Sequence, residues 1–131
     1  MTRYYTVAEA NQALPRLRTL TTELRRIYQR ILELRPQIQS VLNKSRAGAG
    51  NAASGEMAMA FMRFDEIVEQ IEQVGAELKD PATGLCDFLG LHEGRDIYLC
   101  WRLGEEQIEW WHDLHTGFAG RRHVSELSSQ I

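Results

Sequence analysis

Cysteine and proline are scarce in this chain, with two Cys and three Pro among 131 residues, and no unbroken apolar run exceeds the six residues from Met57 to Met62. Such a run is far below the roughly 20 residues of a membrane helix, so no membrane association is expected. Two cysteines are too few for a disulfide framework. In a chain that opens Met-Thr-Arg-Tyr-Tyr, with no apolar signal segment, they read as thiols of a cytoplasmic protein. Net positive charge is also missing: 15 Lys and Arg against 18 Asp and Glu leave -3, which argues against a general nucleic-acid coat protein. Neither a C-x-x-C knuckle nor a phosphate-loop pattern is present. What is there, 44% hydrophobic and 25% charged residues, fits one globular domain over 1–131 with a modest core.

The charge is unevenly spread. Residues 1–50 hold nine Lys or Arg against three Glu, and residues 51–131 hold six against fifteen acids. All three Trp, all four His and both Cys lie beyond residue 85. The first eighty residues therefore read as framework, and any chemistry belongs to the last fifty.

Thr6-Val7-Ala8-Glu9 has the form of a capping box that starts a helix. Pro15 disfavours helical geometry at Leu14, which predicts a kink near 14–15. Leu17, Leu20, Leu24, Ile27, Ile31, Leu34, Ile38 and Val41 alternate at spacings of three and four, an a/d heptad seam. Met57, Phe61, Phe64, Val68, Ile71, Gly75 and Leu78 repeat in the same way. The small residues of 45–55 between them form a flexible linker. An antiparallel hairpin follows, with Arg35 facing Asp65 and Tyr28 facing Glu72. Ala60, Ile67 and Val74 flank the second seam. That apolar flank needs a cover, from the C-terminal region, a protein partner or a second copy, and a homodimer through the long helices is the expected state.

Beyond the breakers Asp80-Pro81-Ala82-Thr83-Gly84 the period changes to that of strands. Leu85 to Phe88, Asp96 to Leu103 and Gln107 to His112 read as three strands, with Glu93-Gly94 at the tip of the first turn. In the second strand Leu99, Trp101 and Leu103 share one face and Tyr98, Cys100 and Arg102 the other. The predicted fold is α+β: a long, coiled-coil-like antiparallel two-helix hairpin packed with a small three-stranded antiparallel β-meander. Its layout is a helical arm over 6–43, the linker at 45–55, a second helix over 56–79, a sheet and glycine-rich loop over 84–123, and a loose tail at 124–131.

Three chemistries are open to these residues. His112 and His115 form an H-x-x-H pair that could hold a divalent metal, with Glu105, Glu109 or Asp113 adding oxygen and Cys86 and Cys100 adding sulfur. Alternatively, Arg102 and Arg121 offer forked donors to an anion, with Arg122 nearby and Trp110 or Trp111 as a wall. In that pocket His112 would be the general base, its ring oriented by Asp113 or Glu105. The plainer alternative has the arginines paired with acids and the Trp side chains pinning the sheet to the helices. Arg16, Arg18, Arg25, Arg26, Arg30 and Arg35 make the first helix basic, but the acidic second helix cancels much of that field, so nucleic acid is not the expected partner.

Tyr5-Thr6-Val7-Ala8-Glu9-Ala10-Asn11, Leu14-Pro15-Arg16-Leu17, Gly84-Leu85, Asp87-Phe88, Tyr98-Leu99-Cys100-Trp101-Arg102-Leu103-Gly104-Glu105, Trp111-His112 and Gly117-Phe118-Ala119-Gly120-Arg121 resemble the uncharacterised prokaryotic family known as domain of unknown function 2203. The resemblance covers nearly the whole chain and implies no reaction. It implies that Asp87, Cys100, Trp101, Arg102, Glu105, His112 and Arg121 sit on the shared pattern, which adds Asp87 to the catalytic candidates His112 and Glu105. Cys86 replaces a plain apolar residue, and His115 is less tied to the pattern than His112. The leading expectation is a cytoplasmic accessory or protein-interaction module, and the alternative is an anion- or divalent-metal-binding protein of hydrolase type built around Arg102, Glu105, His112 and Arg121. The metal candidates are His112, His115, Cys100 and Glu105, and the anion candidates Arg102, Arg121 and Trp111.

Overall fold

The computed structural model describes residues 2–44 and 52–127. Thr6 and Glu9 form the capping box reciprocally. The Glu9 amide donates to Thr6 Oγ1 at 3.1 Å and the Thr6 amide to Glu9 Oε1 at 2.9 Å. Helix α1 (Val7–Lys44) starts there and runs without a break through both Pro15 and Pro36. The first helical seam is buried at Leu17, Leu20, Leu24, Ile31 and Leu34, and extends back to Ala10 and Leu14. The side chain of Val41 and the linker residues 45–51 lie outside the described residues.

Helix α2 (Ala52–Val74) packs antiparallel to α1. Arg30 meets Glu56, Glu23 meets Arg63 and Arg16 meets Gln70, so cross-helix partners have residue numbers adding to 86. The sequence alone predicts a sum near 100, with Arg35 opposite Asp65. Burial also turns α2 about its axis relative to that reading. Ile67 and Ile71 are its fully buried residues, whereas Phe61, assigned to the seam, is 48% exposed. The flank of Ala60, Ile67 and Val74 therefore lies close to the true contact face, and Ile67 belongs to the core of this same chain.

Five strands, not three, follow in a sheet whose spatial order is their chain order: β1 (Ala76–Asp80), β2 (Leu85–His92), β3 (Arg95–Trp101), β4 (Trp110–Asp113) and β5 (Arg122–His123). The three-stranded meander is thus too small, and each extra strand has a local cause. Gly75, at φ 109°, stops α2 in a conformation that suits glycine, and a Cβ there would lie 1.8 Å from Tyr5 Oη. The segment 76–79, read as the end of a helix, instead alternates buried and exposed as a strand does. Spacings of three and four that end in Gly75 and Leu78 fit both readings, and only the glycine separates them. At the other end, Arg122 and His123 pair with Trp111 and Trp110. The chain after them does not trail off: Val124–Glu126 form a 3-10 turn and Leu127 is buried in the core.

Strand alternation gives the sheet two unlike faces. Phe88, Ile97, Leu99, Trp101 and Trp111 join Leu14, Leu17, Leu20 and Leu24 of α1 and Ile67 and Ile71 of α2 in one apolar core. Asp87, Tyr98, Cys100, Trp110 and His112 alternate with those residues and so lie on the face away from the helices. The loop after β3 is tied to α1. The Ile108 amide donates to Asn11 Oδ1 at 2.7 Å, Arg18 donates to the Glu106 carbonyl, and the Trp101 indole donates to the Glu105 carbonyl at 3.0 Å. Among the described residues no helix is long and apolar enough to cross a membrane.

Candidate metal centre

Asp87 on β2 pairs directly with Cys100 on β3, and Cys100 pairs with Trp110 on β4, so His112 stands two residues along from Cys100 on the same face. One carboxylate oxygen, one sulfur and one imidazole nitrogen from these three residues all lie within 4.8 Å of one another. This is the one cluster of its kind among the described residues, and all three members are buried. His112 Nε2 is 3.2 Å from Asp87 Oδ1, and His112 Nδ1 donates to the Asp113 carbonyl at 2.7 Å.

The residues fit a divalent ion. Two ligand atoms at about 2.0–2.1 Å from a tetrahedral zinc ion stand a little over 3 Å apart, close to the 3.2 Å between His112 and Asp87. The Nδ1–H bond to the Asp113 carbonyl is the outer-shell contact that fixes the tautomer of a metal-binding histidine and leaves Nε2 to coordinate. A thiolate, a carboxylate and a neutral imidazole balance the charge of a divalent ion, which matters at a site with side chains only 3% exposed. Without metal, burial pushes the His112 pKa down. Its hydrogen bonds to Asp87 and Cys100 and to the Asp113 carbonyl, with the Asp87 charge, outweigh burial and raise it to about 10.

Arg121 and Glu105 close the site from above. Arg121 Nε donates to Cys100 Sγ at 3.3 Å, and its two terminal nitrogens reach Glu105 at 2.6 and 2.8 Å. Glu105 also accepts the Arg102 amide at 2.7 Å. Burial raises the Glu105 carboxyl, but its bonds to Arg121 and to the Arg102 amide hold it below the usual range. Glu105 is therefore committed to arginine and does not join the ligand cluster.

The other sequence candidates separate. His115 is exposed on the loop after β4 and takes no part, so the H-x-x-H pair does not form a site. Trp111 lies on the helix-facing side of the sheet, away from Arg121, and cannot wall an anion site with it. Trp110 is on the correct face, with the Arg121 guanidinium 5.8 Å from its ring. Cys86 also packs in the apolar core, where burial pushes its thiol up to about 12, the nearby Asp87 and Cys100 adding to the effect. Asp113 contributes its backbone carbonyl, while its carboxylate stands 3.6 Å from Arg95. Sequence reasoning missed that backbone contact and the Asn11 tether, because neither leaves a residue-type signature.

The model of an uncharacterized conserved protein family, DUF2203, matches residues 3–124. The chain belongs to that family. The match spans α1 through β5 and includes Asp87, Cys100 and His112. No curated protein and no solved structure matches the chain.

Proposed function

We propose that this chain is a divalent-metal-binding protein with Asp87, Cys100 and His112 as its ligands. The observation that carries this reading is the convergence of three buried donor atoms within 4.8 Å, one of them on a histidine oriented by a backbone carbonyl. One thiolate, one imidazole and one carboxylate suit zinc better than a hard cation such as magnesium, which takes oxygen ligands. Three protein ligands leave one tetrahedral position open, as in catalytic rather than closed structural sites. A divalent ion so held acts as a Lewis acid, which suits hydrolase-type chemistry. In this reading His112, Cys100 and Asp87 bind, while Glu105 and Arg121 position and cover.

The rival interaction module loses its main support, since Ile67 is wholly buried within one chain and Val74 packs partly against the same core. Self-association keeps one support of its own. Leu32 on α1 and Met59, Phe61 and Met62 on α2 remain exposed, and a second copy would cover part of that surface. Light-scattering mass of wild type and Phe61→Glu tests it, since a monomer in both removes the dimer. Two free, buried thiols favour a reducing, cytoplasmic setting.

Elemental analysis of untagged protein, purified without chelator and then offered zinc, tests the metal reading. Near-stoichiometric metal in wild type that is lost in Cys100→Ser and His112→Ala supports it. Protein that neither carries metal nor takes up zinc overturns it.

A further inference from the structure

One pocket lies on the same sheet face as the metal candidates but does not include them. It has a volume of about 210 Å3 and is lined by Asp80, Thr83, Leu85, Arg102 and Phe118. Leu85 and Arg102 are each two residues from Asp87 and Cys100, one row further along the sheet.

Arg102 differs from the arginines around it. Arg121 is held by Glu105, Arg95 by Asp113 and Arg122 by Glu126. Among the described residues the Arg102 guanidinium has no carboxylate within ion-pair distance, although its charge acts on Glu105. Arg102 has two contacts of other kinds. Its own amide is fixed by Glu105, and its guanidinium lies 5.1 Å from the Phe118 ring, whose other cation neighbour, Arg121, is at 4.4 Å. A forked donor outside any ion pair can take a carboxylate through two parallel hydrogen bonds. Phe118 is 41% exposed beside it, and Leu85 is half-buried, so the pocket also presents apolar wall.

The acid in the pocket narrows the ligand. Asp80 accepts from the Ala82 amide and from the Thr83 hydroxyl, both at 3.0 Å, which satisfies its oxygens but leaves its negative charge facing the pocket. That charge opposes a dianion such as a phosphate ester more strongly than a carboxylate, whose single charge would sit on Arg102. The volume is below that of sites for drug-sized ligands. From these features we infer that the pocket binds a small organic monocarboxylate, its head on Arg102 and its apolar body against Phe118 and Leu85. This site does not depend on the metal reading and binds its ligand in metal-free protein.

The experiment is a titration of metal-free, isotope-labelled protein with phenylacetate, benzyl alcohol and inorganic phosphate, followed through backbone amide shifts. Phenylacetate is expected to move Thr83, Arg102 and Phe118 in a saturable way. Loss of the charge-assisted fork in Arg102→Gln should weaken binding about ten- to hundredfold, and Phe118→Ala should weaken it as well. Arg102 is exposed, so Arg102→Gln should fold normally, which the rest of its spectrum would show. Benzyl alcohol binding as tightly as phenylacetate would make the pocket a plain apolar cleft. Phosphate binding as tightly would make it a generic basic patch. Either result, the absence of a phenylacetate shift, or a shift that survives Arg102→Gln overturns the assignment.

Discussion

His112 Nε2 meets Asp87 Oδ1 at 3.2 Å although β3 runs between their strands. The contact passes over the outer face of the sheet beside Cys100, and the second imidazole nitrogen is bound to the Asp113 carbonyl. A backbone carbonyl and an ionised carboxylate both accept hydrogen bonds, so the metal-free ring donates from both nitrogens and is an imidazolium. Burying that cation is tolerable only because the Asp87 anion is buried with it.

Metal-free protein should therefore lose stability as the solution becomes alkaline. The folded-state pKa of His112 lies above its unfolded value near 6.5 and is raised to about 10. Its contribution is complete below the lower value and is lost as the pH rises through the upper one. Urea unfolding between pH 6.5 and 10 should show this decline in wild type and a flatter profile in His112→Gln. Equal slopes in both would show that the pair contributes nothing to linkage.

Zinc uptake must displace the His112 Nε2 proton, and also the Sγ proton wherever Cys100 enters the site as a thiol. Calorimetric titration in two buffers of different ionisation enthalpy should report release of at least about one proton per ion near neutral pH. Cobalt bound in place of zinc should add a near-ultraviolet thiolate-to-metal band that disappears in Cys100→Ser. Proton-neutral binding would place the ion elsewhere.

Arg121 screens Cys100 from solvent, and the sulfur is wholly buried beneath it. Replacing Arg121 by Ala leaves the half-buried Glu105 without its guanidinium and should lower stability by about 1–3 kcal/mol. The same change should speed alkylation of Cys100 in native protein, while Cys86, in the apolar core, stays protected. Peptide mapping after iodoacetamide treatment distinguishes the two thiols. Unchanged labelling of Cys100 would show that the loop residues, rather than Arg121, form the cover.

Gly75→Ala combines a left-handed backbone with a direct clash on Tyr5. Overpacking alone typically costs about 1–3 kcal/mol, and the strained φ adds to it. The denaturation midpoint should fall accordingly. A change below about 0.5 kcal/mol, the range of ordinary surface substitutions, would mean that the α2–β1 turn adapts freely.

The amino-acid order by itself determined the elements whose signals are local. Thr6 and Glu9 start α1, its apolar seam is the one that the three-four spacing marks, and Glu93-Gly94 turns β2 into β3. The two faces of β3 also followed from alternation, with Cys100 and Arg102 set apart from Leu99 and Trp101. Tertiary packing decided whatever depended on register. The paired helices could slide and rotate because many apolar spacings satisfy a three-four pattern, so burial against the sheet chose Ile67 and Ile71 and left Phe61 outside. In the sheet, a single step of pairing moves a side chain to the other face. The observed register sets Asp87 opposite Cys100, sends Cys86 and Trp111 into the core, and brings His112 across β3. Metal ligation requires three atoms from three strands within a few ångströms of one another. No one-dimensional spacing encodes that convergence, because each strand supplies only one of the atoms.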